Sequence, residues 1–178
     1  FTFTRQNEMR GLGDAVLKGR PLASDEAFGV ILADDLCVNE NGQNVMAQMV
    51  KIYEKYRCTI IAVMEVEKDQ VSNYGVIAGN AVEDNLIMVH SMIEKPSVEE
   101  APSNLAIIGR YILTPDIFGI LENTKAGKNG EIQLTDALLT QATNGMVLAY
   151  KFEGKRFDCG SVDGYVEATN YFYKKSLC

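Results

Sequence analysis

Phe28-Gly29-Val30-Ile31-Leu32-Ala33-Asp34-Asp35 is the stretch that decides the fold. An apolar, β-branched run that ends abruptly in carboxylates predicts a buried strand, and its carboxyl end lies at the rim of an open α/β sheet, where nucleotides and metal ions bind. Toward the carboxyl terminus, Val45, Met49, Ile52, Tyr53 and Tyr56 recur at helical spacing over 44–56, and 58–66 reads as a second buried strand. Toward the amino terminus, the alternation Phe1-Thr2-Phe3-Thr4-Arg5 predicts another strand. Gly11-Leu12-Gly13-Asp14-Ala15-Val16-Leu17 then leads into a helix that stops near Gly19-Arg20-Pro21. Alternation of β and α elements implies a doubly wound, mainly parallel sheet.

Beyond Asn73 the pattern shifts to short strands at 74–78, 86–94 and 105–113, the expected mixed or antiparallel part of the sheet. Helices are expected at 114–122, 131–141 and 162–174, with Thr114-Pro115 and Asn129-Gly130-Glu131 as starts. An alternating segment, 146–157, delivers a third aspartate in Asp158-Cys159-Gly160.

With 178 residues and 47% hydrophobic content the chain can bury one substantial core, so one α/β domain spanning 1–178 is expected. A net charge of −7 argues against nucleic acid or an anionic membrane as partner, since both require clustered Lys and Arg. Cys37, Cys58, Cys159 and Cys178 form no CxxC pair and no secretory h-region precedes them, which predicts reduced thiols in a cytoplasmic protein. The start at Phe1, without an initiator methionine, reads as the middle of a larger protein.

Asp34 and Asp158 at strand ends, with the base of Glu94-Lys95-Pro96, form a set suited to phosphate chemistry: two Mg²⁺ ligands and a lysine whose direction Pro96 fixes. Each has a plainer reading. Aspartates at strand ends also form turns or caps, Glu94-Lys95 also reads as a solvated charge pair, and Gly11-Leu12-Gly13 also reads as a turn that starts a helix. His90, the single histidine, lies in a strand pattern and is assigned no catalytic role. Tyr171-Phe172-Tyr173 reads as helix packing or a subunit contact.

In order along the chain, Gly11-Leu12-Gly13-x-Ala15-Val16, Val30-Ile31-Leu32-Ala33-Asp34-Asp35, Tyr74-Gly75-Val76, Ile93-Glu94-Lys95-Pro96, Ala101-Pro102-Ser103-Asn104-Leu105-Ala106, Gly109-Arg110-Tyr111, Asn129-Gly130-Glu131-Ile132-Gln133-Leu134-Thr135-Asp136 and Asp158-Cys159-Gly160 stand together. In order and spacing this series resembles the bacterial UTP-glucose-1-phosphate uridylyltransferases, or UDP-glucose pyrophosphorylases, of the sugar-nucleotidyltransferases. The resemblance implies a Rossmann-like mixed sheet flanked by helices. That family opens with a strand and a glycine-rich G-x-G-T-R loop that hold the UTP triphosphate, and this loop is absent before Phe1. The chain therefore resembles roughly the last two thirds of the enzyme, a nucleotidyltransferase domain truncated at its amino end and expected to be inactive alone.

By resemblance, Gln6 and the backbone of Gly11 and Gly13 meet the uracil edge, while Asp34 and Asp158 hold Mg²⁺ against the reacting phosphates, with Asp35 a bystander or a support behind them. Tyr74, Gly75 and Glu94 receive the glucose ring, Lys95 meets the phosphate of glucose 1-phosphate, and Asn104, Gly109 and the segment Glu131 to Asp136 shape the sugar pocket or pack beneath it. The implied reaction is uridylyl transfer from UTP to glucose 1-phosphate, giving UDP-glucose and pyrophosphate, in a homo-oligomer. Three other readings remain open: a sister enzyme using dTTP or GTP, a non-catalytic binding or assembly module of the same fold, and a metal-dependent glycosyltransferase. The last fits poorly, because Ala33-Asp34-Asp35 lacks an Asp-x-Asp spacing.

Overall fold

The computed structural model describes every residue except Asn41, Lys128, Asn129 and Cys178. Its strands are β1 Phe28–Ile31, β2 Asp35–Val38, β3 Thr59–Glu65, β4 Gly75–Glu83, β5 Leu86–Glu94, β6 Leu105–Leu113, β7 Val147–Lys151 and β8 Lys155–Asp158. The helices are α1 Leu12–Lys18, α2 Arg20–Ala23, α3 Val45–Tyr56, α4 Asp116–Asn123, α5 Leu134–Asn144 and α6 Val162–Ser176. Six strands form one sheet in the order β1-β6-β3-β7-β5-β4, and β2 and β8 form a separate two-stranded ribbon.

Local chemistry accounts for most boundaries. Asn44 caps α3 by accepting the Ala47 N–H at 2.9 Å, and Arg57 ends it in the left-handed conformation, φ 53°. Asp84 and Asn85 between β4 and β5 make a turn too short for anything but an antiparallel hairpin. Apolar side chains cover both faces of the large sheet. Ile117, Phe118 and Leu121 of α4 and Leu134, Ala137 and Leu138 of α5 pack on one face. Val45 and Met49 of α3 pack on the other, against Ile60, Ile108 and Leu148.

The expected α/β layering stands: a mixed sheet flanked by helices. The sheet is not mainly parallel, however. Only β3–β7 runs parallel among the described pairings. β1 and β3 do point the same way, as the αβ alternation implies, but β6 is inserted antiparallel between them. Residues 1–6 form no strand, because a strand needs a ladder partner and the described residues supply none. The segment 146–157 is not one strand but two, β7 in the large sheet and β8 in the ribbon, separated by a bend at 152–154. The helix expected from 131 begins at Leu134, and its expected start at Asn129 lies outside the described residues.

Candidate functional site

At the carboxyl end of β1 the chain turns through Ala33 and Asp34 and re-enters extended structure as β2. β2 pairs antiparallel with β8, Asp35 opposite Asp158, and the Cys159 N–H donates to the Asp34 carbonyl at 2.7 Å. This ribbon brings Asp34 and Asp158 together from distant parts of the sequence. A Cβ placed on Gly160 would lie 3.2 Å from both Asp34 Oδ2 and Asp158 Oδ1. The glycine leaves a small cradle between two carboxylates. Among the described residues no group of three or more Asp, Glu, His or Cys converges. A two-carboxylate site of this kind suits Mg²⁺, which takes one or two protein carboxylates and completes its shell with water and phosphate oxygens.

Asp158 is oriented by its other oxygen. Oδ2 meets the Arg156 guanidinium at 3.2 Å and accepts from Tyr74 Oη at 3.4 Å. Arg156 also donates from Nε to Asp35 Oδ1 at 3.0 Å and from Nη1 to Tyr74 Oη at 3.1 Å. Asp35 is buried, and its second oxygen accepts the Gly109 N–H. Opposed carboxylates across a ladder repel, and the guanidinium inserted between Asp35 and Asp158 removes that cost. Burial works against the Arg156 charge, but Asp35, together with the hydrogen bonds to Tyr74 and Asp35, outweighs it and raises the pKa above the usual arginine range. Gly109 is required by close approach: a Cβ there would sit 2.7 Å from Leu32 Cβ and 2.8 Å from Asp35 Oδ2.

Beside the carboxylates opens a cleft of about 330 Å³ whose walls include Asp34, Asp35, Tyr74, Gly75, Glu94, Lys95, Gly109, Thr135, Arg156 and Asp158. Glu94 faces Gly75 in the β4–β5 register and accepts from the Thr135 hydroxyl at the start of α5. Tyr111 closes the floor. Burial, reinforced by the Glu94 and Asp35 charges, raises its phenol above the ordinary tyrosine range, so it stays neutral. Lys95 leaves β5 at φ 45°, a left-handed conformation that is unfavourable for a residue before proline. Its N–H donates to the Tyr74 carbonyl at 3.0 Å, and its exposed side chain stands at the cleft mouth.

Seven residues singled out in the sequence thus share one cleft: Asp34, Tyr74, Gly75, Glu94, Lys95, Gly109 and Asp158. Four do not line it. Gln6 donates to the Gly11 carbonyl at 3.0 Å and to Asp14 Oδ2 at 2.8 Å, bracing the start of α1. Gly11 and Gly13 lie behind that wall, the Gly13 N–H held by the Ile132 carbonyl at 2.9 Å, and only Leu12 between them reaches the cleft. Asn104 is elsewhere, its side chain donating to the Val66 carbonyl at 3.3 Å at the end of β3.

The sequence reading missed Arg156; Thr135 lies in the segment 131–136 that it expected to shape the pocket or pack beneath it, and of the two roles it gave Asp35 the structure shows the supporting one. A signal for Arg156 was present, since positions 156 and 158 of one strand share a face. A larger cavity, about 520 Å³, lies beside α3, but the Gln48 amide on its wall is spent on Gln43, Tyr150 and Glu153. No helix among the described residues is long and apolar enough to cross a membrane. Cys37, Cys58 and Cys159 are free thiols.

Comparison with known proteins follows the same lines. The family model described as nucleotidyl transferase matches residues 1–175. A UTP–glucose-1-phosphate uridylyltransferase of Pseudomonas aeruginosa is 64% identical over 174 residues, 98% of this chain and 62% of the relative. A crystal structure of UDP-glucose pyrophosphorylase complexed with UDP-glucose superposes with a TM-score of 0.96 at 56% identity, covering 98% of this chain and 66% of that one. A UTP-bound UGPase from Acinetobacter baumannii superposes with a TM-score of 0.83 at 37% identity, covering 95% and 58%. The chain thus spans about 62% of the length of the curated relative it matches at 64% identity.

Proposed function

Because the chain belongs to the nucleotidyl transferase family, we propose that the protein transfers the uridylyl group of UTP to glucose 1-phosphate, giving UDP-glucose and pyrophosphate. The observation that carries this reading is the convergence of Asp34 and Asp158 on Gly160 at the rim of a cleft holding Glu94 and Lys95. The name of the Pseudomonas relative and the UDP-glucose bound in the superposed pyrophosphorylase complex support the choice of nucleotide and sugar.

In this reading Glu94, steadied by Thr135, accepts hydrogen bonds from sugar hydroxyls, and Tyr74 and Gly75 shape the space for the ring. The Lys95 ammonium pairs with the phosphate of glucose 1-phosphate, a charge-assisted contact worth about 1.5–3 kcal/mol. A non-bridging oxygen of that phosphate attacks the α-phosphorus of UTP in line, a P–O bond forms, and pyrophosphate leaves with the bonding pair. The nucleophile is already ionised, so no general base is needed, which agrees with an exposed His90 on β5 away from the cleft. Asp34 and Asp158 would hold a divalent cation, Mg²⁺ in our reading, whose charge offsets the repulsion between the two phosphates. Arg156 holds Asp158 Oδ2 while the Gly160 N–H donates to Oδ1 at 3.2 Å, and positioning with charge neutralisation supplies the catalysis. Of the turn Gly11-Leu12-Gly13, braced by Gln6, only Leu12 reaches the cleft, and in this reading it would pack against the base. We place this activity in the cytoplasm, with neither nucleic acid nor membrane as partner.

Calorimetric titration of this chain with UDP-glucose, with and without Mg²⁺, tests the reading. Micromolar binding strengthened by Mg²⁺ is expected. Absence of binding by a demonstrably folded chain, or binding indifferent to divalent metal, would overturn the site.

A further inference from the structure

Tyr74, directly before β4, touches both halves of the cleft with different atoms. Its N–H donates to the Val71 carbonyl at 3.2 Å, closing a 3₁₀ segment, Lys68–Asn73, that the buried Val71 anchors. Its carbonyl accepts the Lys95 N–H at 3.0 Å, and so pins a lysine whose left-handed backbone, ahead of a proline, persists only where its surroundings impose it. Its hydroxyl lies 3.1 Å from Arg156 Nη1 and 3.4 Å from Asp158 Oδ2. A guanidinium only donates and a carboxylate only accepts, so the hydroxyl accepts from Arg156 and spends its single proton on Asp158. No proton remains for a sugar oxygen. At 3.4 Å the bond to Asp158 is long, as catalytic hydrogen bonds often are before a ligand closes the site. The Arg156 guanidinium lies over the Tyr74 ring, 5.3 Å from its centre, a cation–π contact that keeps the hydroxyl turned toward Asp158.

We propose that Tyr74 is a positioning residue for the metal-binding aspartate, its hydroxyl and Arg156 together holding Asp158 Oδ2 while its carbonyl holds Lys95. This role rests on the reading of the cleft as a site for a sugar phosphate and a divalent cation. In that reading the cation and the Lys95 ammonium meet the same phosphate, so the spacing of Asp158 from Lys95 decides whether both can hold it. Strand pairing does not set that spacing. Asp158 ends β8 in the two-stranded ribbon, whereas Lys95 follows β5 in the large sheet, and no described ladder joins those two strands. Tyr74 bridges them, side chain to one and backbone to the other. Without the hydroxyl, Asp158 Oδ2 keeps its contact with Arg156 at 3.2 Å, but Arg156 loses the acceptor that orients Nη1. The carboxylate then has rotamer freedom that a cation must remove on binding.

Electron paramagnetic resonance of Mn²⁺ titrated into the chain saturated with UDP-glucose tests this without turnover, Mn²⁺ standing in for Mg²⁺ at hard oxygen ligands. Tyr74→Phe keeps the ring and deletes the hydroxyl. Mn²⁺ affinity should fall about ten- to a hundredfold, the loss typical when a group that orients a metal ligand is removed. Calorimetry with UDP-glucose in the absence of metal should show a much smaller effect, and circular dichroism a Tm within a few degrees of the native chain. A variant that binds Mn²⁺ as the native chain does overturns the role of Tyr74 and leaves the reading of the cleft standing. A variant that keeps Mn²⁺ but loses metal-free UDP-glucose affinity assigns the hydroxyl to the sugar, and overturns the role too. Parallel loss of Tm and Mn²⁺ affinity makes the contact structural, with the same consequence. A native complex that holds no Mn²⁺ overturns the two-carboxylate site itself, and this role with it.

Discussion

Asp34 Oδ2 and Asp158 Oδ1 each lie 3.2 Å from where a Cβ on Gly160 would stand, and the ribbon of β2 and β8 holds them there. Neither aspartate is buried, and Asp158 has one oxygen committed to Arg156. A pair so placed is expected to act on a ligand more than on stability. Asp34→Asn and Asp158→Asn should each abolish the Mg²⁺-dependent part of UDP-glucose binding and change Tm by no more than a few degrees. A parallel loss of Tm and binding would identify Asp158 as a structural cap.

Gly160→Ala separates the metal from the sugar. A methyl group in the cradle meets both carboxylate oxygens first, at 3.2 Å, so it should remove the Mg²⁺ enhancement while leaving metal-free UDP-glucose affinity within about twofold. Titrations with and without Mg²⁺ read both quantities from one variant.

Glu94→Ala should act on the sugar alone. It deletes the acceptor that Thr135 steadies, and UDP-glucose affinity is expected to fall by about ten- to a hundredfold, or 1.5–3 kcal/mol, while UDP affinity holds. Equal losses for both ligands would place Glu94 outside the sugar site.

Arg156→Met leaves Asp35 buried without its cation. Unfolding free energy should drop by about 3–5 kcal/mol, the cost of stranding a buried charge. Asp35→Asn with Arg156→Met should recover part of that loss, measured by urea titration of both variants.

Cys58 predicts an alkaline limit. Burial pushes its thiol from 9.0 up to about 11, so the folded state holds the proton more tightly than the unfolded one. The contribution is complete below pH 9 and is lost as pH rises through about 11, at up to about 1.4 kcal/mol per pH unit. Cys37, raised to about 11 by burial and then by Asp35, adds in the same direction. Cys58→Ala should flatten the slope of unfolding free energy between pH 9 and 11, starting from a somewhat lower plateau.

Much of the architecture was legible in the sequence because it rests on local physics. Residue pattern marked α3, β5 and β6 to within a residue or so, since α3 and β5 bury a patterned face, β6 is a largely apolar run buried on both faces, and Asn44 caps the helix with its own side chain. Residues at strand ends, Asp34, Glu94, Lys95 and Asp158, were legible as site candidates for the same reason: an apolar run that stops at a charge must emerge at a sheet rim. What only the tertiary structure decided is pairing. Whether a strand runs parallel or antiparallel depends on which strand lies beside it, and β6 enters between β1 and β3 from far along the chain. The break between β7 and β8, the role of Arg156 and the convergence of two aspartates on Gly160 all follow from the β2–β8 ribbon. A residue's own sequence neighbourhood does not specify such long-range pairing, because its free energy comes from contacts made only once both strands are in place.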